Sequence, residues 1–431
     1  MCARILAMNV AESLERTRLA LRTVGQFCRA RGFFPVFCLA IFLAVPGGAV
    51  AQIKAPSLAG LTADLVYTNY RVADVPWSIH VARVARTNSN FEIHSLHARG
   101  TAVGLGTVTS QLRFLDPALG TPVAAVNGDF YTRGGVFAGN PRGMQIIDGE
   151  VFSAPDGGTV FWIDGARQPQ LESVVSRFQI TWPGGKVTPF GLNEPRRATA
   201  AVIFTPAIGP ATLAAGGREL VLEKQGDGPW LPLRMGETYR AKVREIREGG
   251  NSPLEPDTLV LSLGPALARS LPTLEIGAVL KLSTASIPSM AGATTAISGG
   301  PVLLQEGKRI RVREADSDSY IYNSMSERHP RTAFGWNSKY FYLVEVDGRQ
   351  WNLSAGMTLD ELSSFMARLG CEEALNLDGG GSATFWYNGR VRNRPCDGHE
   401  RSVANSLVIV KKKAAAEPPP ETTKSASASS P

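Results

Sequence analysis

The sequence predicts an α+β fold, a mixed, strand-rich single catalytic domain with few helices. Three observations carry it. Gly 44 and Pro 28 in 431 residues punctuate the chain too often for long helices. Apolar residues mostly alternate rather than recur every three or four positions. Turn dipeptides recur between the alternating runs.

In chain order, basic residues at Arg16, Arg18, Arg22, Arg29 and Arg31 precede an uncharged run, 32–51, ending in Ala49-Val50-Ala51. That order reads as a signal peptide over 1–51, cleaved near Ala51, which implies a periplasmic or secreted protein with no stable membrane span after cleavage. An uncleaved anchor is the alternative. The domain is expected over 52–410. WSIHVARVAR from Trp77 and NFEIHSLHAR from Asn90 read as two strands joined by a turn at 88–90. A strand over 122–126 leads into Asn127-Gly128. Hairpin turns are expected at Asp148-Gly149, Asp347-Gly348 and Asn388-Gly389, with a weaker one at Glu306-Gly307. Residues 175–290 read as a strand-rich region inserted between two halves of a site.

One helix is predicted. Thr358 and Glu361 make a capping box, Leu362, Phe365, Met366 and Leu369 share a face, and Gly370 stops it. Glu361 is thereby assigned to structure. The tail, 411–431, is too rich in Pro, Ser, Ala and charge to fold and is expected to be disordered.

The net charge of +7 does not point to nucleic acid. The leader contributes +4 and the tail +2, leaving the body near +1, too little for a basic stripe. The mature chain keeps two cysteines, Cys371 and Cys396. An even pair in an oxidising compartment is a disulfide candidate; two free thiols are the alternative. Neither metal nor cofactor is predicted. His94 and His97 in a strand point to opposite faces, the other histidines are isolated, and no nucleotide fingerprint occurs.

Four clusters could carry chemistry. Asp378 stands at a strand end before Gly379, Gly380 and Gly381, whose backbone is suited to an anion-binding nest. Ser382 follows, but Thr384 breaks the nucleophile-elbow pattern, so it is read as a hydrogen-bond donor. Asn127, Asp129, Phe130 and Arg142 form a second cluster with polar groups and a ring for a sugar. Arg328, Arg331 and Thr332 form a third. Glu400, Arg401 and Asn405, after His399, form the fourth, its arginine suited to phosphate.

The motifs VNGDFY (126–131), SGGPVLL (298–304), PRTAFG (330–335), VDGRQ (346–350), GMTLDEL (356–362), LNLDGGGSAT (375–384) and ERSVANSLVI (400–409) together resemble the phosphodiester glycosidase family, in family order. Asp129 departs from the pattern, since better-known members often have glycine there. The resemblance implies an exported hydrolase that frees a sugar from a sugar-1-phosphodiester, and for bacterial members a loose link to exopolysaccharide. Asp378 is expected to stabilise an oxocarbenium-like state, with Glu400 or Asp129 as the second acid or base. Arg331, Arg401 and Gly379–Gly381 would hold the phosphate, and Asn127, Ser382 and Asn405 would orient the sugar. The partner is thus a glycosyl phosphodiester or phosphate-bearing glycan. The rival reading is a non-hydrolytic exopolysaccharide-binding or biosynthesis accessory protein.

Overall fold

A computed structural model describes residues 63–100, 102–271, 274–311 and 325–413. The predicted signal peptide and most of the predicted tail lie outside them. The strand-rich, helix-poor architecture expected from the sequence is what forms, and among the described residues no helix is long and apolar enough to cross a membrane.

Two antiparallel sheets face one another. The first has seven strands, in the order Leu65–Val72, Trp77–Ala85, Tyr340–Val346, Arg331–Trp336, Glu373–Asn376, Val302–Gln305 and Lys308–Arg309. The second has five, Arg390–Val391, Phe385–Tyr387, Thr121–Asn127, Asn405–Lys411 and Phe91–His97. Strand alternation explains the layers. Along Trp77–Ala85, Trp77, Ile79 and Val81 pack against the helix Leu359–Arg368, whereas Ala82 and Val84, with Leu375 of the same sheet, face Val126, Phe385 and Leu407 of the second. The outer face of the second sheet is covered by Val108, Leu112 and Tyr131. The order is helix, sheet, sheet, short helix.

The helix Leu359–Arg368 forms as predicted. Thr358 Oγ1 accepts from the Glu361 amide at 3.1 Å, and Glu361 accepts back from the Thr358 amide at 3.0 Å. Leu362, Phe365 and Met366 are fully buried, each worth about 2 kcal/mol in transfer free energy. Glu361 also pairs with Arg328, so neither residue enters a site.

The third sheet, of twelve strands, occupies most of residues 145–299. It has its own apolar core, with Phe178, Leu222, Tyr239, Leu261 and Leu282 buried in one cluster. The region is wider than the 175–290 expected, because the strands Gln145–Ile147, Glu150–Ser153 and Asp156–Ile163 join it.

The turns at Asp148-Gly149, Glu306-Gly307 and Asn388-Gly389 form hairpins, and all six residues have positive φ. Two expectations differ. The strands from Trp77 and from Phe91 exist but belong to different sheets. Asp347-Gly348 is not a hairpin turn: the Asp347 side chain is buried and accepts from Ser78 Oγ and the Arg394 amide, so the chain leaves the sheet there. The last strand runs to Lys411 and the Lys412 amide bonds Asn90 O, so order extends beyond the predicted boundary at 410.

Cys371 and Cys396 are free thiols, not a disulfide. Cys371 is buried near Tyr342, and Cys396 lies near Glu345. Tyr342 and Glu345 occupy one strand at positions of opposite parity, so the sheet itself stands between the two sulfurs.

Candidate active site

Strand ends converge at one edge of the sandwich. Thr121–Asn127 ends into Gly128-Asp129, Glu373–Asn376 into Leu377-Asp378, and Arg331–Trp336 and Asn405–Lys411 begin there. Asn127 ties these together. Its Oδ1 accepts from Thr332 Oγ1 (2.7 Å) and the Thr384 amide (3.0 Å), and its Nδ2 donates to Asp378 O at 2.6 Å. Asn405 does the same for the neighbouring turn, accepting from the Asp129 amide at 2.8 Å and donating to Gln145. Both side chains are fully buried and spent on the scaffold. They position the site and do not reach the cavity, contrary to the sugar-orienting role expected.

The cavity has a volume of ≈ 450 Å³. Asp378 and Gly379–Gly381 form one wall. Arg133, Arg331, Arg349 and Arg401 bring four guanidinium groups around it, Phe130 presents a ring, and Glu327 and His329 complete the polar lining.

The three glycines are required by close approach. A Cβ on Gly379 would sit 2.6 Å from Pro330 O, Gly380 has φ +61°, and a Cβ on Gly381 would collide with the Arg401 guanidinium. They are not the open nest expected. The Gly379 amide donates to Asp378 Oδ1 at 2.8 Å and the Gly380 amide to Pro330 O at 2.9 Å. Anion binding therefore falls to the arginines.

Asp378 is buried, and burial raises its carboxyl above the ordinary range, opposed by Ser382, the Gly379 amide, Arg133 and Arg401. The buried Ser382 hydroxyl lies beside it, between Asp378 and Tyr131, and its hydrogen bond to the carboxyl opposes the rise. The Asp129 carboxyl is pushed up to about 7, chiefly by burial, with the charges of Asp156 and Asp378 adding to the rise. Its oxygens are taken by the Phe130 amide (2.7 Å) and the Gly143 amide (3.2 Å), so it sits behind the cavity wall.

Glu400 and Arg142 are not brought to the cavity. Glu400 accepts from the Thr109 amide at 2.8 Å, at the first turn of the helix Val108–Gln111, where a carboxylate complements unpaired amides. Arg142 is exposed, beside a separate cleft with Asp156 and Glu194.

In their place stands a relay that the sequence reading passed over. Arg349 Nε donates to His329 Nδ1 (3.2 Å), so His329 Nε2 carries the proton toward Glu327 Oε2 (3.0 Å). Burial, then Arg349 and Arg331, lower the His329 imidazole. Arg331 is buried with Nε on Met357 O and Nη2 on Glu327 O, both 2.9 Å, and burial takes it down to about 10. Arg401 is held by Asp397. The missed signal was alternation: Glu327, His329 and Arg331 fall at i, i+2 and i+4, one face of an extended segment, while Arg328 turns to Glu361 and Trp77.

Residues 248–410 match the family model for phosphodiester glycosidases. N-acetylglucosamine-1-phosphodiester alpha-N-acetylglucosaminidase of Bos taurus is 29% identical over 120 residues, 28% of this chain. That segment spans only 22% of the relative's length. A solved protein of Synechocystis superposes with a TM-score of 0.62 over 80% of this chain and 61% of its own, at 19% identity. One from Burkholderia pseudomallei K96243 gives 0.60 over 78% and 74%, at 21% identity. These two likenesses concern the fold.

Proposed function

We propose that this chain, whose residues 248–410 belong to the phosphodiester glycosidase family, is an exported hydrolase that cleaves a glycosyl phosphodiester to free sugar and phosphomonoester. The observation that carries the reading is a buried carboxylate, Asp378, facing a cavity ringed by four arginines. Such a cavity suits a substrate that is anionic at one end and develops positive charge at the other.

The arginines neutralise the diester phosphate, with Arg349 and Arg401 the more adaptable pair and Arg331 fixed by two carbonyls. A phosphomonoester is already a good leaving group, so protonating it adds little. The C1–O bond breaks, the bonding pair leaves with phosphate, and Asp378 stabilises the cationic sugar carbon. Water then adds at C1, and Glu327, oriented by His329, takes its proton. Phe130 offers the sugar an apolar face. Export rests on the basic and apolar order of residues 1–51 and is checked by N-terminal sequencing of secreted protein, which should begin near Gln52.

The test is mass spectrometry of purified protein incubated with a panel of sugar-1-phosphodiesters. Release of free sugar with equimolar phosphomonoester supports the hydrolase. Tight glycan binding with no release from any member would replace it with the binding protein.

A further inference from the structure

We infer that His80, Glu345 and Asp347 form a binding site for one divalent transition-metal ion, Zn²⁺ or Mn²⁺, inside the sandwich and apart from the cavity wall. His80 lies in the strand Trp77–Ala85 and faces Glu345 directly across the ladder in Tyr340–Val346; Asp347 follows two residues on, on the same face. All three are almost wholly buried, at 3%, 0% and 1% exposure. Their ligand atoms lie within 4.8 Å of one another. A coordination sphere with bonds of about 2.0–2.2 Å places its ligands no farther apart than this.

Two further observations point to an ion. Glu345 Oε2 is buried with no hydrogen-bond partner, although Oε1 of the same carboxyl is held by Asn393 Nδ2 at 3.1 Å. Were Glu345 simply protonated, a hydroxyl would remain buried and unpaired, at a cost of about 1–3 kcal/mol. Secondly, each ligand is held from outside by a polar neighbour. Ser78 Oγ and the Arg394 amide donate to Asp347, each at 2.7 Å, and Tyr67 Oη lies 2.8 Å from His80 Nδ1. With Nδ1–H donated to Tyr67, the Nε2 lone pair lies 3.2 Å from Asp347 Oδ2, and Asn69 Nδ2 also stands 3.2 Å from it. This outer ring is what orients ligands in metal centres. One imidazole and two carboxylates form a borderline-to-hard donor set, suited to Zn²⁺ or Mn²⁺ rather than to a soft ion.

An ion there would pin two strands and residues 393–394 together at the base of the 347–349 turn. That turn delivers Arg349 to the cavity. The role inferred is structural, and it stands whether or not the hydrolase reading does.

The experiment uses the full chain, stripped with chelator, equilibrated separately with Zn²⁺ and Mn²⁺, desalted and assayed for bound metal, with melting followed in parallel. Expected are about one ion per chain and a rise in Tm that grows with metal concentration. Glu345→Gln and His80→Gln should each lower the affinity by about tenfold or more and remove the metal response of Tm, with the circular dichroism spectrum unchanged. Two variants are used so that misfolding of one leaves the other informative. Wild-type protein that retains neither metal would overturn the inference, as would variants that bind as wild type does. A Glu345→Gln protein that melts higher than wild type, with both indifferent to metal, would show a carboxyl pair sharing a proton and no metal site.

Discussion

The twelve-stranded sheet and the two-sheet sandwich are built from the same strand patterns, yet they bury different things. In the large sheet the interior is Phe, Leu, Val and Tyr, and its one buried charged residue among those described is Glu219, satisfied by Thr212 and the Ser252 amide. The sandwich buries His80, Arg83, His94, His97, Asp129, Arg331, Glu345, Asp347 and Asp378. Burying ionisable groups is costly unless each is paired. Their concentration in one region therefore separates the part of the chain that makes a core from the part that makes a site.

That contrast predicts opposite consequences for substitutions in the two regions. Asp378→Asn should lower kcat/KM by about three powers of ten or more, roughly 4 kcal/mol. The amide still accepts from Gly379 through Oδ1, so Tm should stay within a few degrees. A large loss of Tm would make Asp378 a scaffold residue and erase the distinction. Phe178→Ala, in the large sheet, should do the reverse. It removes a fully buried ring packed on Phe190, costs about 3–4 kcal/mol in denaturant unfolding, and leaves kcat of the folded protein unchanged.

The sandwich should also carry the pH dependence of stability. Asp129 is raised by burial from 3.8 to about 7. The folded state thus holds this proton more tightly than the unfolded chain. Its contribution is full below the unfolded value and is lost as pH rises through the folded one. Tm should fall between about pH 4 and pH 7 by an amount equivalent to at most about 4 kcal/mol. Asp129→Asn should flatten that slope while losing one of two amide hydrogen bonds. A slope that survives in the variant would move the titration elsewhere.

Within the sandwich, two glutamates should behave differently from one another. Glu327→Gln should lower kcat by about a hundredfold with little change in stability. Glu400→Gln should leave kcat within about threefold and cost roughly 1 kcal/mol, the worth of a helix N-terminal contact. If the two exchange behaviour, the relay of Arg349, His329 and Glu327 has been misassigned.

Local chemistry was legible in the sequence. The capping box at Thr358 and Glu361 and the turn at Asn388-Gly389 are decided by residues two or three apart, so short-range rules suffice. Asp378 and its glycines were legible because three successive glycines mark a close approach. What they approach, Pro330 O and Arg401, lies far away in sequence, and so the nest expected there was a tight packing site instead. Asn127 and Asn405 looked like substrate contacts because a polar residue at a strand end is ambiguous until its partners are known. Cys371 and Cys396 looked like a pair because sequence does not reveal that a sheet separates them. Asp347-Gly348 has turn composition, but burial of the carboxylate among Ser78, His80 and Arg394 overrides it.

In the proposed reaction Asp378 and the surrounding arginines break the bond between sugar carbon and oxygen. Hydrolysis in ¹⁸O-labelled water, with both products weighed, tests it directly on any diester that is turned over. The label is expected in the released sugar and none in the phosphomonoester. Label in the phosphate would show that water attacks phosphorus, making the protein a phosphodiesterase and contradicting the role given to Asp378.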